Sequence, residues 1–367
     1  MKIILDPEVF HLGNCGLTRY YSALYKGLLD KGVNIDCPVY LSGNDYFPFK
    51  QPPFFNYLPP KVKKLYVKFL KQKSKNTYFK KIASGQYDVI FVTSQDFEID
   101  FLKYKNNTPY IMTAHDTMTW GAQIPYSYID TRNQAMNKMA YLANYADRII
   151  SVSNYTKNDL TNFYSIDEEK IKVIHLANFL EGPADESIVL PEKYILFVGE
   201  RTGRKNFNFF FQSIVDLLKK VEDLSLVVTG QLYEWEEDYF KRMGCGGKVI
   251  GRDANDAQLV TLYKKAICFV YPTFYEGFGL PVLEAMANDC PVIVSANSSL
   301  PEVGGDAVFY IDPSSKQSIG DAVRKVVDND DDRKELIKKA KKRVEMFSVD
   351  NMLNKTVDSL EELVKQH

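Results

Sequence analysis

Apolar positions along this chain follow two different periods, and the two alternate. Short runs rich in Val, Ile, Phe and Tyr at Lys2–Leu5, Val33–Tyr40, Val89–Val92, Tyr110–Thr113, Arg148–Val152 and Lys172–Ile174 read as strands. Stretches at helical spacing lie between them, notably Leu17–Asp30 and Met136–Ala146. A turn-rich polar segment, Glu181-Gly-Pro-Ala-Asp-Glu-Ser187, then interrupts the pattern and reads as a linker. The alternation restarts at Tyr194–Val198 and continues through Ser225–Thr229, Lys248–Ile250, Ile267–Tyr271 and Pro291–Ser295. Its helices are Asn206–Lys220, Asp256–Lys265 and Pro281–Ala287, and the tail from Lys316 reads as helices broken near Asn329 and at Phe347-Ser348. Strands alternating with helices predict an α/β chain with parallel sheets. Two doubly wound units in series would place their sheet carboxyl ends across a shared cleft, where such folds bind ligands.

The bulk properties narrow the class. A chain of 367 residues exceeds one ordinary core and fits two domains, residues 1–180 and 190–348. A net charge of −1 gives no general pull toward nucleic acid, and no nucleic-acid partner is expected. No run approaches the ~20 apolar residues of a membrane span, and the opening Met-Lys-Ile-Ile-Leu-Asp reads as a strand, not a signal peptide. Five scattered cysteines without a C-x-x-C suggest reduced thiols and a cytoplasmic location. Four well-separated histidines argue against a His-rich metal site, and none is expected.

Glu276-Gly-Phe-Gly-Leu-Pro-Val-Leu-Glu284 carries the most specific chemistry. An isolated pair of this kind is more often a solvated loop acid and a first-turn helix acid. Here Ile267–Pro272 supplies an apolar strand in front, and Leu283–Ala287 a helical run behind. Glycines let the backbone approach a ligand, and Pro281 stands where a helix begins, so the turn makes an anion site. Carboxylates on either side suit hydroxyl groups. Diphosphate plus polyol is the outline of a nucleotide sugar.

The run EGFGLPVLEAM, followed by CPVIVSANSSLPEVGGDAVFYIDP, resembles the E-x7-E element of retaining glycosyltransferase family 4. The resemblance implies the GT-B fold: two Rossmann-like domains facing a central cleft, with the last helix crossing back to the first domain. It implies a donor-binding second domain, and a first domain that binds the acceptor and carries the terminal helix 349–367. The donor would be a nucleotide diphosphate sugar, GDP- or UDP-linked, with no further cofactor.

The remaining site residues follow motif by motif. Val198-Gly-Glu-Arg201-Thr-Gly-Arg204-Lys205-Asn206 puts cations after a strand and beside a helix start, where they could neutralise a diphosphate. It resembles the family's G-x-R…K-N element, which assigns Arg201 and Lys205 to the diphosphate and leaves Arg204 at a variable position. The loop is short enough for Arg201 and Arg204 to exchange roles. Gly13-Asn-Cys-Gly16-Leu-Thr-Arg19-Tyr20 resembles the family's opening glycine element, with Cys15 where the first glycine usually stands. Gly16 is therefore the expected backbone contact to the donor. Tyr110–Asp116 runs a strand into a His-Asp pair; a lone His is more often structural, but the family resemblance puts His115 at the transferred sugar or acceptor. Ser153 reads first as a helix N-cap.

Lys61–Lys81 holds nine lysines and no acid, with Leu65, Tyr66, Phe69 and Leu70 interleaved. It suits an anionic membrane surface, as it would a solvated helix on a domain rim. Asp328–Asp332 reads as an exposed cap region between tail helices.

The resemblance thus implies a hexosyl transferase that acts with retention on a glycan or lipid-linked acceptor in surface polysaccharide biosynthesis, in the cytoplasm or at the inner face of the cell membrane. It would need no metal where arginine, lysine and a helix start serve the phosphates. Glu276 would contact the donor sugar and act with His115, Lys205 and Arg201 as the catalytic set. Glu284 would accept both ribose hydroxyls. Gly277, Phe278, Gly279 and Leu280 would line the phosphates, and Arg252 would stand near the base. A sugar-nucleotide epimerase of the same fold, or a non-catalytic sugar-nucleotide-binding protein, is the alternative.

Overall fold

The computed structural model describes residues 1–49, 52–93, 99–117 and 138–367. The chain forms two compact units, Met1–Phe179 with Val349–His367, and Leu180–Ser348.

In the first unit, strands β1 (Lys2–Leu5), β2 (Asn34–Asp36), β3 (Val89–Val92), β4 (Tyr110–Ala114), β5 (Arg148–Ser151) and β6 (Ile171–Val173) form one sheet in the order β2-β1-β3-β4-β5-β6. Every pairing is parallel. Ile3, Ile4, Val89, Ile90, Phe91 and Val92 are all buried, as expected of strands covered on both faces. The strand expected over Val33–Tyr40 stops at Asp36, because Pro38 has no N–H to give a ladder. The expected helix Met136–Ala146 is described from residue 138, and its first two residues lie outside the described set.

The helix Val349–Gln366 belongs to this first unit, as the resemblance implied. It lies so close to the helix Gly16–Asp30 that a Cβ on Gly27 would sit 2.2 Å from Leu353 Cδ1. Arg148 Nη1 and Nη2 donate to Glu362 Oε2 and Gln366 Oε1 at 3.2 and 3.0 Å, and Lys172 Nζ joins Glu362 at 3.0 Å. The first unit's core is therefore closed by a distant part of the sequence.

The second unit carries strands β7 (Lys193–Phe197), β8 (Leu224–Thr229), β9 (Val249–Arg252), β10 (Cys268–Tyr271), β11 (Val292–Ser295) and β12 (Phe309–Ile311). Their order, β12-β11-β10-β7-β8-β9, is the doubly wound order started from β7. The chain leaves β7 in one direction, then returns to pair β10 on its other side, with Cys268 opposite Ile195. Turns after β7 and β10 consequently leave neighbouring strands at the carboxyl edge, flanking the topological switch point. The amphipathic helix Phe207–Lys220 covers the sheet through Phe207, Phe210, Phe211, Ile214 and Leu218. Three elements fall outside the sequence expectation: the helix Glu234–Arg242, which buries only Glu236 and Phe240, the five-residue helix Leu300–Gly304 and the three-residue strand β12. All three are too short for periodicity to mark them.

Candidate active site

The β7 turn is shaped by positive φ angles at three positions. Gly199 has φ +122° and its N–H donates to Thr229 Oγ1 at 3.0 Å. Gly203 at +56° and Asn206 at +60° bracket a single 3-10 turn, and Asn206 Nδ2 is fixed to Pro313 O at 2.8 Å. This turn carries Arg204 and Lys205 just ahead of the helix Phe207–Lys220.

The β10 turn crosses to meet it. Phe274 N donates to Arg204 O at 2.8 Å, and Thr273 Oγ1 lies 3.0 Å from the same oxygen. Glu276 is buried, and its Oε1 collects Lys205 Nζ at 2.8 Å, Thr273 Oγ1 at 3.0 Å and the Arg204 Nη1 donor. Arg204 Nη1 also donates to Tyr275 O at 2.8 Å. The Glu276 backbone is pinned as well: its N–H donates to Ser298 Oγ at 3.1 Å, and Ser299 Oγ donates to the carbonyls of Glu276 and Phe278. Two cations face one carboxylate, leaving an excess of positive charge beside the turn.

Lys205 Nζ is hydrogen-bonded to the Tyr271 hydroxyl too. Burial lowers the lysine's pKa, and Glu276 opposes that shift. Burial, reinforced by Glu276, pushes the Tyr271 phenol well above its usual range. Tyr271 therefore stays protonated.

Beyond Phe278 the chain enters the left-handed region at Gly279, φ +105°, and opens the helix Leu280–Ala287 with Pro281 in its first turn. A Cβ on Gly279 would stand 2.8 Å from Leu300 Cδ2, so the turn excludes a side chain. The helix start contributes partial positive charge. Glu284 is buried one turn further on, where Oε2 accepts from Tyr263 OH at 3.2 Å. Burial, then the Glu284 charge, raises the Tyr263 pKa well above its ordinary value.

Arg201 stands elsewhere. Its Nε and Nη2 donate to both oxygens of Glu236, Nη1 donates to Thr229 O at 2.8 Å, and Nη2 donates to Gln231 O at 2.6 Å. The reason is topological: the Glu234–Arg242 helix, unanticipated in the sequence, brings a buried carboxylate to the β7 turn. Of the two arginines able to exchange places, the structure brings Arg204 to Glu276 and turns Arg201 to Glu236. Arg252, at the end of β9, donates from Nε to Val189 O and from Nη1 to Gly251 O, both at 2.9 Å.

In the first unit, Gly16 is the first residue of its helix and Cys15 is the N-cap. Thr18 ties this start together, its Oγ1 accepting from Cys15 N at 3.0 Å and lying 3.1 Å from Gly13 O. His115 follows β4 with Nε2 3.1 Å from Tyr21 OH, and the rings of Tyr20 and Tyr21 meet it edge-on at 5.1 and 5.4 Å. Loss of hydration there lowers its pKa to about 3, so the imidazole is neutral near pH 7. Ser153 is the N-cap of Asn154–Tyr164, accepting from Thr156 N at 3.0 Å. Asp6 was not singled out by the sequence: at the end of β1, its Oδ1 accepts from Thr93 Oγ1 at 2.8 Å and Glu8 N at 3.0 Å, and burial raises its pKa to about 7. The sequence signal for it was an acid placed directly after the first strand.

Two parallel six-stranded units, the second doubly wound with β7 and β10 turns that join cations, a buried carboxylate and a glycine-led helix start, make a two-domain α/β chain of the GT-B fold. Comparison with known proteins agrees. Residues 15–177 match the family described as Glycosyltransferase Family 4, and residues 181–343 match Glycosyl transferases group 1. An uncharacterised glycosyltransferase of Methanocaldococcus jannaschii is 30% identical over 302 residues, covering 74% of this chain and 75% of that one. O-antigen chain mannosyltransferase B of Escherichia coli is 27% identical over 230 residues, covering 58% of this chain and 60% of that one. The solved sucrose-phosphate synthase of Thermosynechococcus elongatus matches all of both chains with a TM-score of 0.75 at 17% identity. The chain belongs to the group 1 glycosyltransferases.

Proposed function

We propose that this glycosyltransferase moves a hexose-type sugar, with retention, from a GDP- or UDP-linked donor to a glycan or lipid-linked oligosaccharide in surface polysaccharide biosynthesis. The observation that carries the reading is the meeting of Lys205, Arg204 and Thr273 on the buried Glu276 carboxylate, just before the Gly279 helix start. The O-antigen mannosyltransferase relative supports the pathway and the hexose class.

In this mechanism Lys205 and Arg204 lie where negative charge grows as the sugar–phosphate bond breaks, and the Leu280–Ala287 helix start adds its dipole. Lys205 is largely withdrawn from water, so its charge acts through a low local dielectric. Glu276, fixed by the same cations, faces the sugar hydroxyls on the side where the anomeric carbon becomes oxocarbenium-like. Glu284, steadied by Tyr263, takes the ribose hydroxyls. His115 serves the transferred sugar or acceptor as a neutral imidazole, a hydrogen-bonding group and not a cation. Phosphate stabilisation by Lys205, Arg204 and the helix start needs no metal ion.

Screening UDP- and GDP-sugars for thermal stabilisation identifies the donor, because a ligand that binds the folded state raises the melting temperature by mass action. Turnover with the best donor is then compared between the wild type and Lys205→Ala or Glu276→Ala. Full turnover by either variant, or an epimerised nucleotide sugar formed without acceptor, overturns the proposal. So does activity lost to a chelator and restored by a divalent ion, for the metal-free part.

A further inference from the structure

The helix Pro60–Ile82 carries two apolar stripes where one would suffice. The inward stripe is Leu70, Ser74, Tyr78 and Ile82, spaced by four and buried, with Ser74 Oγ accepting from Tyr40 N at 3.1 Å. The outward stripe is Val62, Leu65 and Phe69 at i, i+3 and i+7, on a different face. Leu65 is 70% exposed and Phe69 61%, and the preceding turn adds Phe54 at 52% and Tyr57 at 85%. Large apolar side chains gathered in this way mark an interaction surface.

The lysines sort with the stripes. Lys63 lies over the Phe55 ring at 4.7 Å, Lys73 over Tyr40 at 4.1 Å, and Lys81 pairs with Asp36, so these three are spent on the unit's own structure. Lys61, Lys64, Lys68 and Lys71 run at i, i+3, i+7 and i+10, a row flanking the outward apolar stripe, and all four are exposed. Among the described residues, none of the four has a carboxylate within ion-pair distance. Among the described residues, no helix is long and apolar enough to cross a membrane. An apolar ridge edged by lysines fits a surface that is apolar at depth and negatively charged at its face.

We propose that the outward face of Pro60–Ile82, with Phe54 and Tyr57, docks this chain on an anionic lipid bilayer. The helix lies flat, Leu65 and Phe69 enter the boundary between headgroups and acyl chains, and the lysine row meets lipid phosphates. The proposal goes beyond the transferase reading and stands without it, since binding is read with no donor present.

The test is co-sedimentation of the full chain with vesicles of phosphatidylcholine alone or with added phosphatidylglycerol. Binding is expected only to the anionic vesicles, and it should fall as salt is raised. Leu65→Ser with Phe69→Ser should abolish it, and Lys64→Gln with Lys68→Gln should weaken it about twentyfold. Both pairs are exposed, so thermal melts should stay within a degree or two of the wild type. No binding to anionic vesicles, or equal binding by wild type and variants, overturns the proposal. A mass in light scattering that doubles with concentration and reverts in Leu65→Ser with Phe69→Ser assigns the face to a second copy of the chain and also overturns it.

Discussion

Glu236 holds Arg201 in a two-pronged clamp, Oε1 accepting from Nε at 2.6 Å and Oε2 from Nη2 at 2.7 Å. The same Oε2 accepts from Tyr233 N at 2.9 Å, so one carboxylate caps a helix and anchors the β7 turn at once. Both side chains are almost fully buried. Burial works against the carboxylate's charge, yet the Arg201 and Tyr233 donors outweigh it and lower the Glu236 pKa. Glu236→Ala should therefore cost about 3–5 kcal/mol, the usual result of leaving a buried charge unpaired. Urea unfolding of Glu236→Ala, Arg201→Met and the double variant checks this; the double variant should lose less than the sum of the two.

Arg204 and Lys205 should behave differently from Arg201. Lys205→Met and Arg204→Met are each expected to lower kcat by about 10²–10³, the scale for removing one donor to a developing oxyanion. Arg201→Met, assayed where it is folded, should keep most of its kcat. Loss of kcat in Arg201→Met equal to that of Lys205→Met would return Arg201 to the diphosphate.

Glu284 and Tyr263 form a buried acceptor and donor pair at 3.2 Å. Glu284→Ala should weaken donor binding at least tenfold, as hydrogen bonds to a charged group are worth about 1.5–3 kcal/mol. Tyr263→Phe keeps the carboxylate and should weaken donor binding less. Calorimetric titration with the donor, or with its free nucleotide diphosphate, measures both.

Gly279→Ala places a methyl group in the left-handed region and against Leu300. Strain and overlap together should cost about 2–3 kcal/mol. The melting temperature checks the stability, and donor titration should show weakened binding because the helix start shifts.

The pH dependence of stability has a sign set by His115. Its folded pKa is lowered from 6.5 to about 3, so below 6.5 the unfolded chain takes up a proton that the folded chain refuses. This contribution is complete above pH 6.5 and is lost progressively as pH falls toward 3. His115→Gln should flatten the acid side of the stability curve between those limits. The pH profile of kcat should show no His115 inflection near 6.5.

Much of this architecture was legible because parallel strands buried on both faces are written as unbroken apolar runs. Lys2–Leu5 and Val89–Val92 were read at their observed bounds. The Asp256–Lys265 helix was also read at its observed bounds, and in the structure Asn255 caps its start, the side chain accepting from Gln258 N. The Glu276–Glu284 segment stood out because glycine and proline are constrained to particular backbone positions. The partners of Glu276 were harder to see: Thr273 has nothing unusual in its sequence, and choosing Arg204 over Arg201 requires knowing that Glu236 is near. That fact depends on a nine-residue helix with one buried apolar side chain, which leaves almost no periodic trace. Long-range ion pairs are set by topology, and local pattern cannot rank them.

Leu353 fills the space that Gly27 leaves open. A ribosome making this chain must therefore release its first unit unfinished. The Gly16–Asp30 helix and the Arg148 guanidinium wait for Val349–Gln366 through the synthesis of residues 180–348, on the order of 10–30 s at cellular elongation rates. Within that interval every element of the second unit is made, so the later-made unit is the first to have all of its parts.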